Sequence, residues 1–145
     1  FFMLFGPSQE LTGVPCGSDL EHSPINKGAG MHKDWPKTTE ELTALMQTFG
    51  KGHPEVAKGF SQLSTAAEKD GAVSAKHKEL MALAIGVAIR CEGCIAFHAK
   101  AAAEAGASRD EVLETVGVCL YMGGGPSFVY GSQALEAFDA FVSPE

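Results

Sequence analysis

From Thr38 to Phe141 the apolar residues recur at three- and four-residue spacing, in runs opened by capping residues or proline and mostly closed by glycine. No segment alternates apolar and polar residues with the period of two that a half-buried strand needs, so the expected architecture is all-α, with six helices and short connections. Thr38 or Thr39 is the expected cap of the first helix, which carries Leu42, Leu45, Met46 and Phe49 and stops at Gly50 and Gly52. Pro54 suits the first turn of a second helix, with Val56, Phe60 and Leu63 as its stripe and Gly71 at its end. Ser74 caps a third through Leu80, Leu83, Ala84 and Val87, and Glu92 to Ala105 forms a fourth, ending at Gly106. Ser108-Arg109-Asp110-Glu111 is a capping box for a fifth helix, with Val112, Leu113, Val116 and Leu120 available for packing. Gly123-Gly124-Gly125-Pro126 breaks that helix, and a sixth is expected from Ser127 to Phe141.

Residues 1–30 differ in kind. Gly6, Pro7, Gly13, Pro15, Gly17, Pro24, Gly28 and Gly30 disfavour any long helix, so this stretch reads as an irregular arm or leader ahead of a single domain over residues 31–145. A chain of 145 residues can bury a core without disulfide staples. The net charge of −7, with 11 Lys and Arg against 18 Asp and Glu and no basic cluster, argues against nucleic acid or an anionic membrane surface as partner. Phe1-Phe2-Met3-Leu4-Phe5 is too short for a signal peptide or a span, and no later apolar run reaches spanning length. Four cysteines, two of them tightly spaced, fit a reducing compartment with one special pair, and a cytoplasmic location is expected.

That pair is Cys91-Glu92-Gly93-Cys94, and His98 follows within about two helical turns of Cys91. Two thiols at this spacing can close a small disulfide ring, and a thiol at a helix N-terminus has its thiolate favoured by unsatisfied backbone N–H groups and the helix dipole. Cys94 fits that position, and His98, one turn on along the same face, is its natural base. Glu79 lies roughly 18 Å from Cys91 along a straight helix, so it reaches His98 only if the fourth helix folds back antiparallel to the third, through a tight turn expected at Glu92-Gly93. The same residues suggest a rival chemistry: Cys91, Cys94 and His98 are three potential zinc ligands, with Cys119 or Glu79 as a fourth. Structural zinc usually takes a second tight ligand pair, and the chain carries none, so redox chemistry is favoured over metal, with inert buried thiols as the remaining possibility.

Glu79, eleven intervening residues, Cys91-x-x-Cys94, three residues and His98 resemble the signature of alkylhydroperoxidase D-like proteins of the carboxymuconolactone decarboxylase family. Lys76-His77-Lys78-Glu79-Leu80, Glu104-Ala105-Gly106 and the helix start at Ser108 to Glu114 share the resemblance, which extends over about residues 35–142 and leaves out residues 1–30. It implies an all-helical domain that forms trimers or hexamers and reduces hydroperoxides without a bound cofactor or metal. In that cycle Glu79 takes a proton from His98, His98 deprotonates Cys94 through a water, and Cys94 attacks the hydroperoxide. Cys91 resolves the sulfenic acid as a disulfide, and an external dithiol, a lipoyl group or a thioredoxin-like protein, resets the pair. Gly93 departs from the pattern, standing where some relatives carry another histidine. The family also implies an alternative, a cofactor-independent decarboxylase of carboxymuconolactone type. A third reading is a non-catalytic oligomer that senses redox state.

Other candidates read as structural. His77 is expected on the surface before Glu79, and His22, His32 and His53 show no partner pattern. Cys119, spaced with Val112 and Val116, reads as a small buried hydrophobe. Phe97 and Tyr121 read as core or interface.

Overall fold

The computed structural model describes residues 31–142, which form six α-helices and, among the described residues, no strand. The helices are α1 (Trp35–Gly52), α2 (Pro54–Glu68), α3 (Ala75–Ala88), α4 (Glu92–Glu104), α5 (Arg109–Gly123) and α6 (Gly125–Phe141). The arm expected over residues 1–30, with Cys16 and His22, lies outside the described residues. No described helix is long and apolar enough to cross a membrane.

Most helix boundaries follow the expected caps. Ser74 accepts from the His77 N–H, and Ser108 and Glu111 complete a reciprocal capping box. The first helix instead begins before Thr38. Asp34 accepts from the Lys37 N–H at 3.0 Å, and Pro36 occupies the first turn, where no N–H is required. Thr38 and Thr39 are inside the helix, their hydroxyls bonded back to the Asp34 and Pro36 carbonyls at 2.7 and 2.6 Å. The sixth helix starts ahead of Ser127, because Pro126 sits in its first turn. Gly124 alone links α5 to α6, and its φ of +65° requires glycine.

The core lies among α3, α4, α5 and α6. Leu80, Leu83 and Val87 of α3 meet Ile95, Ala96, Ala99 and Ala102 of α4, with Val112 and Cys119 of α5 and Ala134, Ala137 and Phe138 of α6. The alanine face of α4 lets α3 and α6 pack close on either side of it. Arg109 pairs with Asp139 to tie α5 to α6, and Lys76 pairs with Glu111 to tie α3 to α5. Trp35 adds a fully buried indole from the start of α1. By contrast α2 buries no residue, and its Phe60 and Leu63, like Leu45 and Phe49 of α1, are exposed.

Candidate active site

The turn between α3 and α4 carries the cysteine pair. Helix α3 ends in a doubly bonded turn: the Arg90 N–H donates to the Val87 carbonyl at 3.2 Å and the Cys91 N–H to the Gly86 carbonyl at 3.0 Å. Arg90 takes the left-handed conformation this turn needs, with φ of +61°, a position where glycine is more usual. The chain thereby reverses at Arg90 and not at Glu92-Gly93, which form the first turn of α4, and Cys91 becomes the N-cap of that helix, its Sγ accepting from the Cys94 N–H at 3.2 Å. The Cys-x-x-Cys spacing is thus that of an N-cap and the third residue of its helix. Both sulfurs lie at the N-terminal end of α4 and are joined as a disulfide, with Cα atoms 5.2 Å apart.

Antiparallel return of α4 is made possible at Gly86. A Cβ there would lie 3.3 Å from the Cys94 Cβ and 3.4 Å from the Ile95 backbone nitrogen, so the two helices approach almost backbone to backbone behind Cys94. Farther from the turn, Glu79 of α3 and His98 of α4 meet, with Glu79 Oε2 2.8 Å from His98 Nδ1. The Glu79 side chain is only 10 % exposed, and the imidazole partners this buried carboxylate. One carboxylate oxygen engaging Nδ1 leaves Nε2 as the free ring nitrogen, the arrangement that fixes an imidazole's orientation for proton exchange. His98 follows Cys94 by one turn on the same face of α4.

All four residues singled out by spacing, Glu79, Cys91, Cys94 and His98, therefore belong to one helix hairpin. The N-terminal position does not distinguish the two thiols as expected from sequence, since Cys91 caps α4 and Cys94 lies in its first turn. What sets Cys94 apart is the histidine a turn away. Cys119 is buried, its thiol pushed up by burial and directed at the Ala84 carbonyl 3.7 Å away. Among the described residues no group of three or more His, Cys, Asp or Glu side chains forms a metal-binding cluster. His77 is exposed and hydrogen-bonds Ser74. Tyr121 is 81 % exposed, while Phe97 lines a cleft of about 310 Å³ between α1 and α4 with Thr39, Thr43, Gln47 and Lys100.

Several contributors have little or no local signal in the sequence. Leu42 of α1 covers Gly93, where a Cβ would lie 3.1 Å from Leu42 Cδ1, so a side chain at position 93 requires Leu42 to shift. Just before α1, Lys33 reaches the carboxylate of Glu92. Trp35 Nε1 and the His32 N–H donate to the two oxygens of Glu136, more than a hundred residues away, at 2.8 and 2.6 Å. Gly86, which the reading of the sequence passed over, carried a signal, since a glycine inside an apolar helical run marks close packing.

The carboxymuconolactone decarboxylase family model matches residues 54–137, which include the whole hairpin. An apo crystal structure of a carboxymuconolactone decarboxylase family protein from Legionella pneumophila is 47 % identical, covers 75 % of this chain and 97 % of that one, and superposes with a TM-score of 0.73. An uncharacterized protein of Cupriavidus necator is 34 % identical over 110 residues, 76 % of this chain and 97 % of that protein. One from Haemophilus influenzae is 35 % identical over 108 residues, 74 % of this chain and 96 % of its own length.

Proposed function

The chain belongs to the carboxymuconolactone decarboxylase family, and from that premise we propose that it is a cysteine-based oxidoreductase that reduces hydroperoxides through Cys94 and Cys91. The observation that carries this reading is the Glu79–His98 contact on the same hairpin as the bonded pair. A buried carboxylate held on Nδ1 keeps the imidazole ready to receive a proton from Cys94, directly or through one water.

The Cys94 thiolate attacks the terminal oxygen of the hydroperoxide, the O–O bond breaks, and the alkoxide leaves as alcohol with the proton that His98 took from the thiol. Cys94 is then a sulfenic acid. The Cys91 thiol attacks its sulfur and releases water, forming the disulfide. A dithiol donor, a lipoyl group or a thioredoxin-like protein, gives up two electrons and two protons and returns both thiols. No bound cofactor or metal takes part.

We assign the protein to a homo-oligomer, a trimer or hexamer, in the cytoplasm. The exposed stripe of Leu45, Phe49, Phe60 and Leu63 supports assembly, because a helix the length of α2 that buries nothing of its own is marginal in water and needs a surface to cover it. A second copy of the chain supplies that surface.

The test is turnover of tert-butyl hydroperoxide with dihydrolipoamide as donor. Wild type should consume both in equal amounts and Cys94→Ser should not. Consumption of carboxymuconolactone that survives Cys94→Ser, with no peroxide turnover, would instead establish the decarboxylase. Disulfide formation without turnover would leave a redox sensor.

A further inference from the structure

The segment before α1 is strapped across the cysteine turn. Its anchor is Glu136 of α6, whose two carboxylate oxygens hold the His32 N–H and the Trp35 indole N–H, and Trp35 itself is wholly buried. Between these two fixed points stands Lys33. Its ammonium lies 5.4 Å from the centroid of the Trp35 ring and pairs with the carboxylate of Glu92, the residue that follows Cys91 and opens α4. An ordinary surface ion pair must immobilise two long side chains, but this lysine is already confined by the ring and the strap.

Glu92 creates the need for it. A carboxylate in the first turn suits the helix dipole, yet Glu92 stands between the two cysteines in the chain, where its charge opposes any negative charge that develops on them. Other charged groups near this end include Arg90 in the turn, Asp34 beside Lys33 with its carboxylate capping α1, Glu136 with both oxygens engaged by the strap, and the Glu79–His98 pair deeper in the hairpin. Lys33 is the group whose charge is delivered to Glu92 itself.

We infer that Lys33 is a positioning residue for the dithiol: held by Trp35 and the Glu136 strap, it neutralises Glu92 and so keeps the thiolate of the Cys91–Cys94 pair accessible at neutral pH. The inference rests on the dithiol reading of the site. It also gives the path from α6 through the strap to the cysteine turn a purpose other than packing, since loss of the charge alone would change thiol reactivity.

The experiment uses the full chain, reduced, with iodoacetamide alkylation of the peptide carrying Cys91 and Cys94 followed by mass spectrometry across a pH series. Lys33→Met should slow alkylation at pH 7 by about threefold and move the profile to higher pH, the size expected for one screened charge near a helix terminus. Lys33→Arg should restore the wild-type profile. Glu92→Gln should speed alkylation, and the double variant Lys33→Met with Glu92→Gln should return close to wild type. A Lys33→Met profile that superposes on wild type would overturn the inference, as would a double variant as slow as Lys33→Met, which would reveal a packing effect. Because alkylation needs no peroxide, these outcomes are read separately from the dithiol reading, which fails if oxidation leaves the pair reduced.

Discussion

The α3–α4 hairpin and the α1–α2 pair are both made of consecutive helices joined by a short connection, but they present opposite surfaces to their surroundings. In α3–α4 the facing residues are small: Gly86 lies against Cys94 and Ile95, and the buried face of α4 is largely alanine. Close approach leaves room for one buried carboxylate and brings its partner from the opposite helix within 2.8 Å. In α1–α2 a single residue, His53, joins the helices, and the apolar positions are large and open to solvent, with Leu45 at 66 %, Phe49 at 61 % and Phe60 at 64 % exposure. One pair is finished within the chain. The other presents a surface that favours a partner. The proposed chemistry belongs to the pair that packs tightly enough to hold an imidazole against a buried carboxylate.

The largest expected effects test the finished hairpin. His98→Ala should lower peroxide turnover by on the order of 100-fold or more, the range for a general base. Glu79→Gln should cost less, because the amide still hydrogen-bonds the ring, but it should shift the alkylation profile of the cysteine pair to higher pH. An unchanged profile would remove Glu79 from the relay.

Next in size is the contrast in packing. Leu83 is fully buried in α3, and Leu83→Ala should lower the unfolding free energy by about 3 kcal/mol in urea titration. Phe49→Asp with Phe60→Asp, at exposed apolar positions, should leave the chain helical by circular dichroism while sedimentation velocity shows loss of the proposed oligomer. If that double variant unfolds the protomer, or leaves the assembly intact, the two helix pairs do not differ in the way described.

The smallest effect belongs to the tie between α3 and α5. A hydrogen bond from Lys76, then the backbone N–H of Ser108, lowers the Glu111 carboxyl from 4.5 to about 2. A carboxylate lowered by folding contributes stability that is present above its unfolded value and lost as pH falls through the folded one. Stability should therefore decline between about pH 4.5 and 2, and Glu111→Gln should flatten part of that decline. An identical acid limb in the variant would assign the loss to other carboxylates.

How much of this was legible in the sequence depends on how local each cause is. Helix starts with a side-chain cap, at Ser74 and Ser108, could be read directly because the cap and its N–H lie three residues apart. The start of α1 was placed late because Thr38 and Thr39 resemble caps, whereas Asp34 with Pro36 two residues on does the capping. Gly106 marked the end of α4 as glycine in a positive-φ turn, but the equivalent turn after α3 is made by Arg90, which carries no such mark. The stripe of α1 was visible as helical spacing, yet spacing records that a face is apolar and not what covers it. The meeting of Glu79 and His98 followed from their spacing once the hairpin was assumed. The strap of Lys33, Trp35 and Glu136 spans the length of the domain and has no local pattern at all.

The most direct test of the central claim is a titration of free thiols before and after one equivalent of tert-butyl hydroperoxide, in wild type and in Cys94→Ser. Wild type should lose two thiols per chain, mapped by mass spectrometry to Cys91 and Cys94, and Cys94→Ser should lose none to disulfide. A wild-type pair that stays reduced in the presence of the peroxide would contradict that claim.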